Sequence, residues 1–228
     1  MNYRVLTISR EYGSGGSEIA AIVAGSLGWR LLDDALLVEV GRAANLPISD
    51  VRTFDETIDP WICRLTRPLW GTSPDGFSPI APVHLFDADE EAALADRIIR
   101  NAWDLGGCVV VGRGAQCVLR HEPNVFHVFV YASWEERIER VRSRHASGSD
   151  LDELLRNMDE RRLHYVRRHY GENRLNPHLY DLMVNCNNRP QLVAQVILTA
   201  MDADGCGTAL SHGSQNRASP RNDEAATQ

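Results

Sequence analysis

"SREYGSGGSEIA", residues 9–20, is the stretch whose reading decides the fold. It follows the short apolar run Val5 to Ile8, which suits a buried strand ending in a tight turn. Beyond it Ile19, Ala20, Val23, Ala24 and Leu27 recur at helical spacing, with Gly28 as the stop. Strand, glycine loop and helix in that order can wrap an anion, because Gly13, Gly15 and Gly16 let the backbone bend and its N–H groups converge with the helix N-terminus. Against the pattern Gly-x-x-x-x-Gly-Lys-Ser/Thr, Gly15 and Ser17 fit, while Arg10 stands at the first glycine and Gly16 at the lysine. The chain of 228 residues contains no lysine, so all 24 of its cationic side chains are arginine. The competing reading is a plain glycine turn with Ser17 as an ordinary helix cap. Glu18 argues for that alternative, since a carboxylate in the first turn already answers the helix dipole and repels phosphate unless a metal ion lies between them.

Outward from this segment, strands and helices alternate. "WRLL" reads as a second strand that ends at Asp33 and Asp34, with a helix through Leu37, Val40 and Ala44 after it. Periodicity fails from Pro60 to Pro82, where five prolines and two tryptophans imply either a long functional loop or flap, or an irregular insertion packing its tryptophans on the domain surface; we bound it at about 60–86. A helix from about Asp89 to Leu105 leads into "CVVV", a buried strand opening onto "GRGA". Val125 to Ala132 is another strand. "SWEERIERVRSRHA" begins with Ser133 and has Glu136 three residues on, a capping-box arrangement. Asp150 to about His169 is a charged helix, "LYDLMVN" returns to strand, and "PQLVAQVILTAMD" closes with a helix led by proline. Residues 205–228 lose apolar periodicity and read as a disordered tail. The expectation is one α/β domain over 1–204, with a mainly parallel five-stranded sheet covered by helices on both faces. Ligands in such sheets sit at the carboxyl ends of strands, where Arg10 to Gly16, Asp33 and Asp34, and Gly112 to Ala115 all fall.

A net charge of −7 and the lack of a nucleic-acid motif exclude a protein that coats nucleic acid by charge. No apolar run reaches the ~18 residues of a membrane span and no signal-peptide pattern opens the chain, so a cytoplasmic protein without membrane or nucleic-acid partners is expected. Five cysteines without a Cys-x-x-Cys pair suggest neither a disulfide framework nor a zinc site. Neither His-x-x-x-His spacing on a helix nor a Gly-x-Ser-x-Gly elbow supports a metalloenzyme or hydrolase.

The segments "TISREYGSGGSEIA", "LGWRLLDDALL", "CVVVGRGAQCVLR", "FVYASWEERIERV" and "MDERRLHYVRRHYGENRLNPHLYDLMVN" resemble, in order from about Thr7 to Asn187, the cytidylate kinase-like family of P-loop nucleoside monophosphate kinases. A lysine-free loop entered by Arg-Glu/Gln-Tyr is itself characteristic of that branch. The resemblance implies a P-loop NTPase fold with a helical lid at about 150–178. It also implies phosphoryl transfer from ATP, with Mg²⁺, to a nucleoside monophosphate of CMP type or a related small acceptor. The alternatives are a nucleotide-binding regulatory module with little or no turnover and, last, an interaction protein using the tryptophan-bearing loop.

Phosphoryl transfer is catalysed largely by positioning and charge neutralisation, and arginine supplies a planar two-pronged donor that stays protonated. The cradle residues are Gly13, Ser14, Gly15, Gly16 and Ser17, with Ser17 also a metal or phosphate ligand. Arg10 enters the loop and either folds over the cradle or pairs with Glu11 or Glu18. Arg113, between two glycines, stands where related kinases contact the acceptor, and Asp33 where they meet its sugar or help its phosphate meet the metal. The resemblance gives the lid arginines as Arg156 and Arg162, and more weakly Arg161 and Arg168, against the reading of a solvated charged face. Arg137, Arg140 and Arg144 read as a structural helix face beside Glu136 and Glu139. Asp181 is expected to hold the lid base.

Overall fold

The computed structural model describes residues 2–33, 88–143 and 150–206. The predicted helix through Leu37 to Ala44, the 60–86 insertion, Asp34, Arg144 and residues 207–228 lie outside the described residues.

Strand β1 (Val5–Arg10) leads into helix α1 (Gly16–Leu27), then β2 (Arg30–Leu32). Helix α2 (Ala88–Leu105), β3 (Cys108–Val111), the single turn α3 (Ala115–Val118) and β4 (Val125–Tyr131) follow. Helices α4 (Trp134–Arg142) and α5 (Leu151–Tyr170), strand β5 (Leu182–Asn185) and helix α6 (Pro190–Cys206) complete the described chain. The sequence expectations agree to within a residue or so at most ends. Helix α6 runs two residues into the stretch read as tail, through Cys206.

Local chemistry accounts for the boundaries. The Ser133 side chain accepts from the Glu136 N–H and Asp150 from the Glu153 N–H, satisfying orphan donors at the starts of α4 and α5. Gly28 and Gly171 cap α1 and α5 in the left-handed region.

The described strands form one all-parallel sheet in the order β2-β3-β1-β4-β5. Central strands read as unbroken apolar runs because both their faces are covered. On one face Ile98, Ile99 and Ala102 of α2 with Val118 and Leu119 pack against Val5, Leu32, Cys108 and Val110. On the other, Ile19, Ala20 and Val23 of α1 with Val193, Ile197 and Met201 of α6 pack against Leu6, Ile8, Val109 and Val128. Two polar side chains stay in the sheet interior by answering each other, Thr7 Oγ1 lying 2.7 Å from His127 Nδ1.

This order places the site. The chain leaves β1 towards β2 on one side and leaves β3 towards β4 on the other, crossing β1. The carboxyl ends of β1 and β3 therefore flank the topological switch point, the crevice where α/β sheets take ligands.

Candidate functional site

The loop Glu11–Gly15 leaves β1 and turns sharply at Gly13, whose φ is +80°. A side chain there would meet the α4 backbone, since a Cβ would stand 2.9 Å from the Arg137 carbonyl oxygen. Ser14, fully buried, closes the turn by donating Oγ–H to the Glu11 carbonyl at 2.9 Å. Gly15 is the N-cap of α1 and provides no side-chain cap; the first intrahelical bond is Ile19 N–H to the Gly15 carbonyl at 3.0 Å. The Gly16, Ser17 and Glu18 amides precede it, so they form the donor end of the helix. Ser17 and Glu18 are exposed at this mouth.

The carbonyls of Arg10, at the end of β1, and of the loop are held by arginines from distant segments. The Arg10 carbonyl accepts from Arg162 Nη1 at 3.0 Å and from Arg174 Nη2 at 3.2 Å. The Tyr12 carbonyl accepts from Arg137 Nε at 2.7 Å, and the Gly13 carbonyl from Arg140 Nη1 at 2.9 Å. Asp159 of α5 completes the arrangement: it accepts the Tyr12 N–H at 2.9 Å, pairs with Arg137, and lies 3.5 Å from Arg174. Burial draws the Arg174 guanidinium down from its ordinary value, an effect opposed first by the nearby Asp159 carboxylate.

The second turn, Gly112–Gly114, leaves β3 with three consecutive left-handed residues: φ is +80° at Gly112, +51° at Arg113 and +70° at Gly114. Arg10 explains the first glycine. Its side chain runs from Gly16, where a Cβ would lie 2.6 Å from Arg10 Cβ, to Gly112, where a Cβ would overlap Arg10 Nη1. Arg10 thus bridges the two turns. Tyr170, at the end of α5, supports the second turn by donating its hydroxyl towards the Arg113 carbonyl at 3.2 Å and Asp96 Oδ1 at 2.6 Å. Burial pushes the Tyr170 phenol and the Asp96 carboxyl above their ordinary ranges.

An open cleft of about 540 Å³ lies between this turn and α5. Arg10, Arg113, Arg161, Arg162 and Arg174 all line it, and no carboxylate does among the described residues. Ser9 and Gln116 form a hydrogen-bonded floor at 2.8 Å.

The structure therefore brings Arg10, Arg113 and Arg162 to one cleft, whereas Gly13, Ser14, Gly15, Gly16 and Ser17 do not line it and adjoin it only through Arg10, which packs on Gly16. Arg161, read as a weaker candidate, joins the cleft arginines. Asp33 follows the end of β2, one strand further along the same edge of the sheet. Arg156 lies elsewhere: it is exposed, with its guanidinium 5.1 Å from the Trp134 ring, and does not line the cleft. Arg168 reaches α2 instead, making two hydrogen bonds to Asp89 at 3.2 and 3.1 Å. Asp181 clasps β5 to β4 through the His127 N–H at 2.7 Å.

Arg137, Arg140 and Arg174 are the residues that sequence reasoning did not assign to the site. For the first two a signal existed: their i, i+3 spacing puts both on one face of α4. That helix leaves β4, the strand beside β1, so its inner face meets the loop leaving β1. Arg174 gave no comparable signal, because it follows the Gly171 cap in an irregular segment.

A parallel sheet in this order, with a glycine loop opening a helix at its switch point, defines an α/β protein of P-loop kinase fold. The chain belongs to the cytidylate kinase-like family, whose sequence profile matches residues 5–188. No curated protein matches it significantly. Among solved structures, an uncharacterized protein from Eubacterium ventriosum ATCC 27560 is similar with a TM-score of 0.63 at 20% identity, over 89% of this chain and 99% of that one. A gluconokinase from Sinorhizobium meliloti 1021 aligns with a TM-score of 0.49 at 16% identity, covering 91% of this chain and 97% of its own. A shikimate kinase from Bacteroides thetaiotaomicron gives 0.48 at 12% identity, over 87% and 98%.

Proposed function

We propose that this phosphotransferase moves a phosphoryl group from ATP to a nucleoside monophosphate of CMP type or a related small acceptor. The observation that carries the reading is the cleft at the switch point, lined by five arginines, one of which, Arg10, packs on Gly16 at the mouth of α1. Phosphoryl transfer spreads negative charge over the moving group and its neighbours, and fixed cations lower that barrier without rearranging during the reaction.

In this reading the amides of the Gly13–Ser17 segment cradle the donor phosphates. Arg10, which spans the two turns, and Arg162 neutralise the transferred group, while Arg113 holds the acceptor phosphate. Asp33 contacts the acceptor's sugar or helps its phosphate meet the metal. Residues 150–178 act as the lid over the donor, with the part of α5 that carries Asp159 and Arg162 already seated on the loop; Arg156, stacked on Trp134, joins the site only if its end of the lid rearranges on closure.

Mg²⁺ with ATP fits the donor set. The described residues hold no group of three or more His, Cys, Asp or Glu that could bind a metal alone, and Ser17 offers one exposed hydroxyl at the helix mouth. Mg²⁺ suits such a site because it keeps several waters and takes oxygens from substrate phosphates. Bound with ATP, the ion would supply charge neutralisation on the phosphates, and Ser17 would be its protein ligand.

Among the described residues no helix is long and apolar enough to cross a membrane. A small soluble acceptor met in the cytoplasm is consistent with that.

A second reading, a nucleotide-binding regulatory module without turnover, is favoured by Glu18, whose carboxylate stands exposed in the first turn of α1. One experiment separates the two. Purified protein with ATP, Mg²⁺ and a panel of nucleoside monophosphates and related small acceptors is expected to release ADP with at least one acceptor. Turnover with none overturns the proposal, and ATP-induced thermal stabilisation without product supports the regulatory reading.

A further inference from the structure

Arg137 lies on α4, outside the cleft, with its side chain 5% exposed. It meets four groups: the Tyr12 carbonyl at 2.7 Å, Asp159, Glu11 Oε2 at 3.5 Å, and the Trp134 ring 5.1 Å from its guanidinium carbon. Its own carbonyl packs against Gly13. Glu11 in turn accepts the Ala132 N–H at 3.2 Å, so the cluster is anchored to the end of β4. As a source of stability alone such a cluster is poorly suited, because desolvating buried ions commonly offsets their attraction.

Peptide planarity gives the cluster another consequence. In a trans peptide the N–H of one residue points opposite the carbonyl of the residue before it. The Glu11–Tyr12 plane is held at both ends, the Glu11 carbonyl by Ser14 and the Tyr12 N–H by Asp159. In the next plane Arg137 holds the Tyr12 carbonyl, which turns the Gly13 N–H to the opposite side of the loop. Asp159 lies on α5, as does Arg162, which holds the Arg10 carbonyl.

We propose that Arg137, acting with Asp159, is a positioning residue that aims the Gly13 N–H at the bound phosphate and locks the glycine loop to α5, so that loop and arginine-bearing helix meet the nucleotide as one body. The inference rests on the phosphotransferase reading for its ligand, and on the loop geometry for the coupling. Arg137→Met keeps the bulk of the side chain and leaves Asp159 with Arg174 and the Tyr12 N–H as partners.

The test compares wild type, Arg137→Met and Arg137→Lys by hydrogen exchange of residues 10–18 without nucleotide and by calorimetric titration with MgATP. In Arg137→Met, which loses the partners Asp159 and Glu11 as well as the Tyr12 carbonyl, loop exchange is expected to rise by about tenfold and the ATP dissociation constant by a similar factor, about the worth of the one charge-assisted bond that holds a loop carbonyl. Arg137→Lys keeps the charge but loses the Nε donor, so it should fall between. A folded Arg137→Met protein with wild-type loop exchange, or with ATP affinity within about twofold of wild type, overturns the proposal. Should Arg137→Met fail to fold, the nearly isosteric Asp159→Asn takes its place with the same expected direction and the same refuting result. A wild type that binds no ATP defeats the functional reading instead, and loop exchange alone then decides the coupling.

Discussion

The glycine loop after β1 and the glycine turn after β3 are joined by Arg10 but built in opposite ways: the turn lines the cleft, and the loop lies behind Arg10, outside the cleft lining. Glu11–Gly15 is held largely through its backbone: Arg137 and Arg140 from α4 take the Tyr12 and Gly13 carbonyls, while Arg162 from α5 and Arg174 beyond it take the carbonyl of Arg10 just before the loop. Gly112–Gly114 contributes a side chain, Arg113, to the cleft and takes its support from Tyr170. The difference teaches where each is vulnerable. The first loop's function is dispersed among residues far away in sequence, so it fails through them; the second fails through its own three residues.

The largest break in that comparison is expected where the two turns meet. Gly112→Ala forces a left-handed alanine into the space of the Arg10 guanidinium, and we expect kcat/KM to fall by about 10³-fold from the combined strain and displacement. A variant within a few fold of wild type would show that Arg10 does not act from its bridging position. Next comes Arg162→Ala, which removes a cleft guanidinium and a support of the first loop together. Steady-state kinetics should show a loss of about 10²-fold, mainly in kcat; unchanged kinetics would remove Arg162 from the chemistry.

Arg113→Gly should act on the second turn alone. Glycine relieves the positive φ, so the melting temperature should hold or rise, while KM for the acceptor increases about tenfold and KM for ATP stays put. Equal changes in both KM values would contradict the division of labour between the turns. The smallest expected effect is a control away from both: a Cβ on Gly25 in α1 meets nothing within 4 Å, so Gly25→Ala should stabilise by about 0.5–1 kcal/mol in denaturant melts with activity intact.

A pH experiment sharpens the comparison from beneath the first loop. His127, beside Thr7 of β1, has its pKa lowered from 6.5 by burial, partly opposed by Asp181. The folded state therefore resists a proton that the unfolded chain accepts. The stability from keeping this ring neutral is complete above about pH 6.5 and is lost as pH falls towards the folded-state pKa. Chemical denaturation from pH 7.5 down to about pH 5 should show the decline, and His127→Gln should flatten it; an equal slope in both proteins would refute the assignment.

Much of the fold was legible in advance because the signals are local. Val5 to Ile8, "CVVV" and Val125 onward carry apolar runs that only a covered strand explains, and Ser133 and Asp150 mark helix starts by hydrogen bonds spanning three residues. The glycine loop and Arg113 were legible for the same reason, since a turn's shape is written in its own residues. Arg156 and Arg162 looked equivalent on the helix, six positions apart. Yet Trp134 takes the former, while the latter reaches the Arg10 carbonyl.

The sequence by itself determined the alternation of strands and helices, the loop that opens α1, and arginine as the sole fixed cation, because each depends on neighbours within a few positions. Only the tertiary structure decided which arginines face the loop. Strand order sets β4 beside β1 and β3 on its other flank, and guanidiniums more than 100 residues from the loop reach its carbonyls. Spacing along the chain holds no record of that encounter, since a charged side chain on a helix has the same pattern whether it meets water or a backbone oxygen.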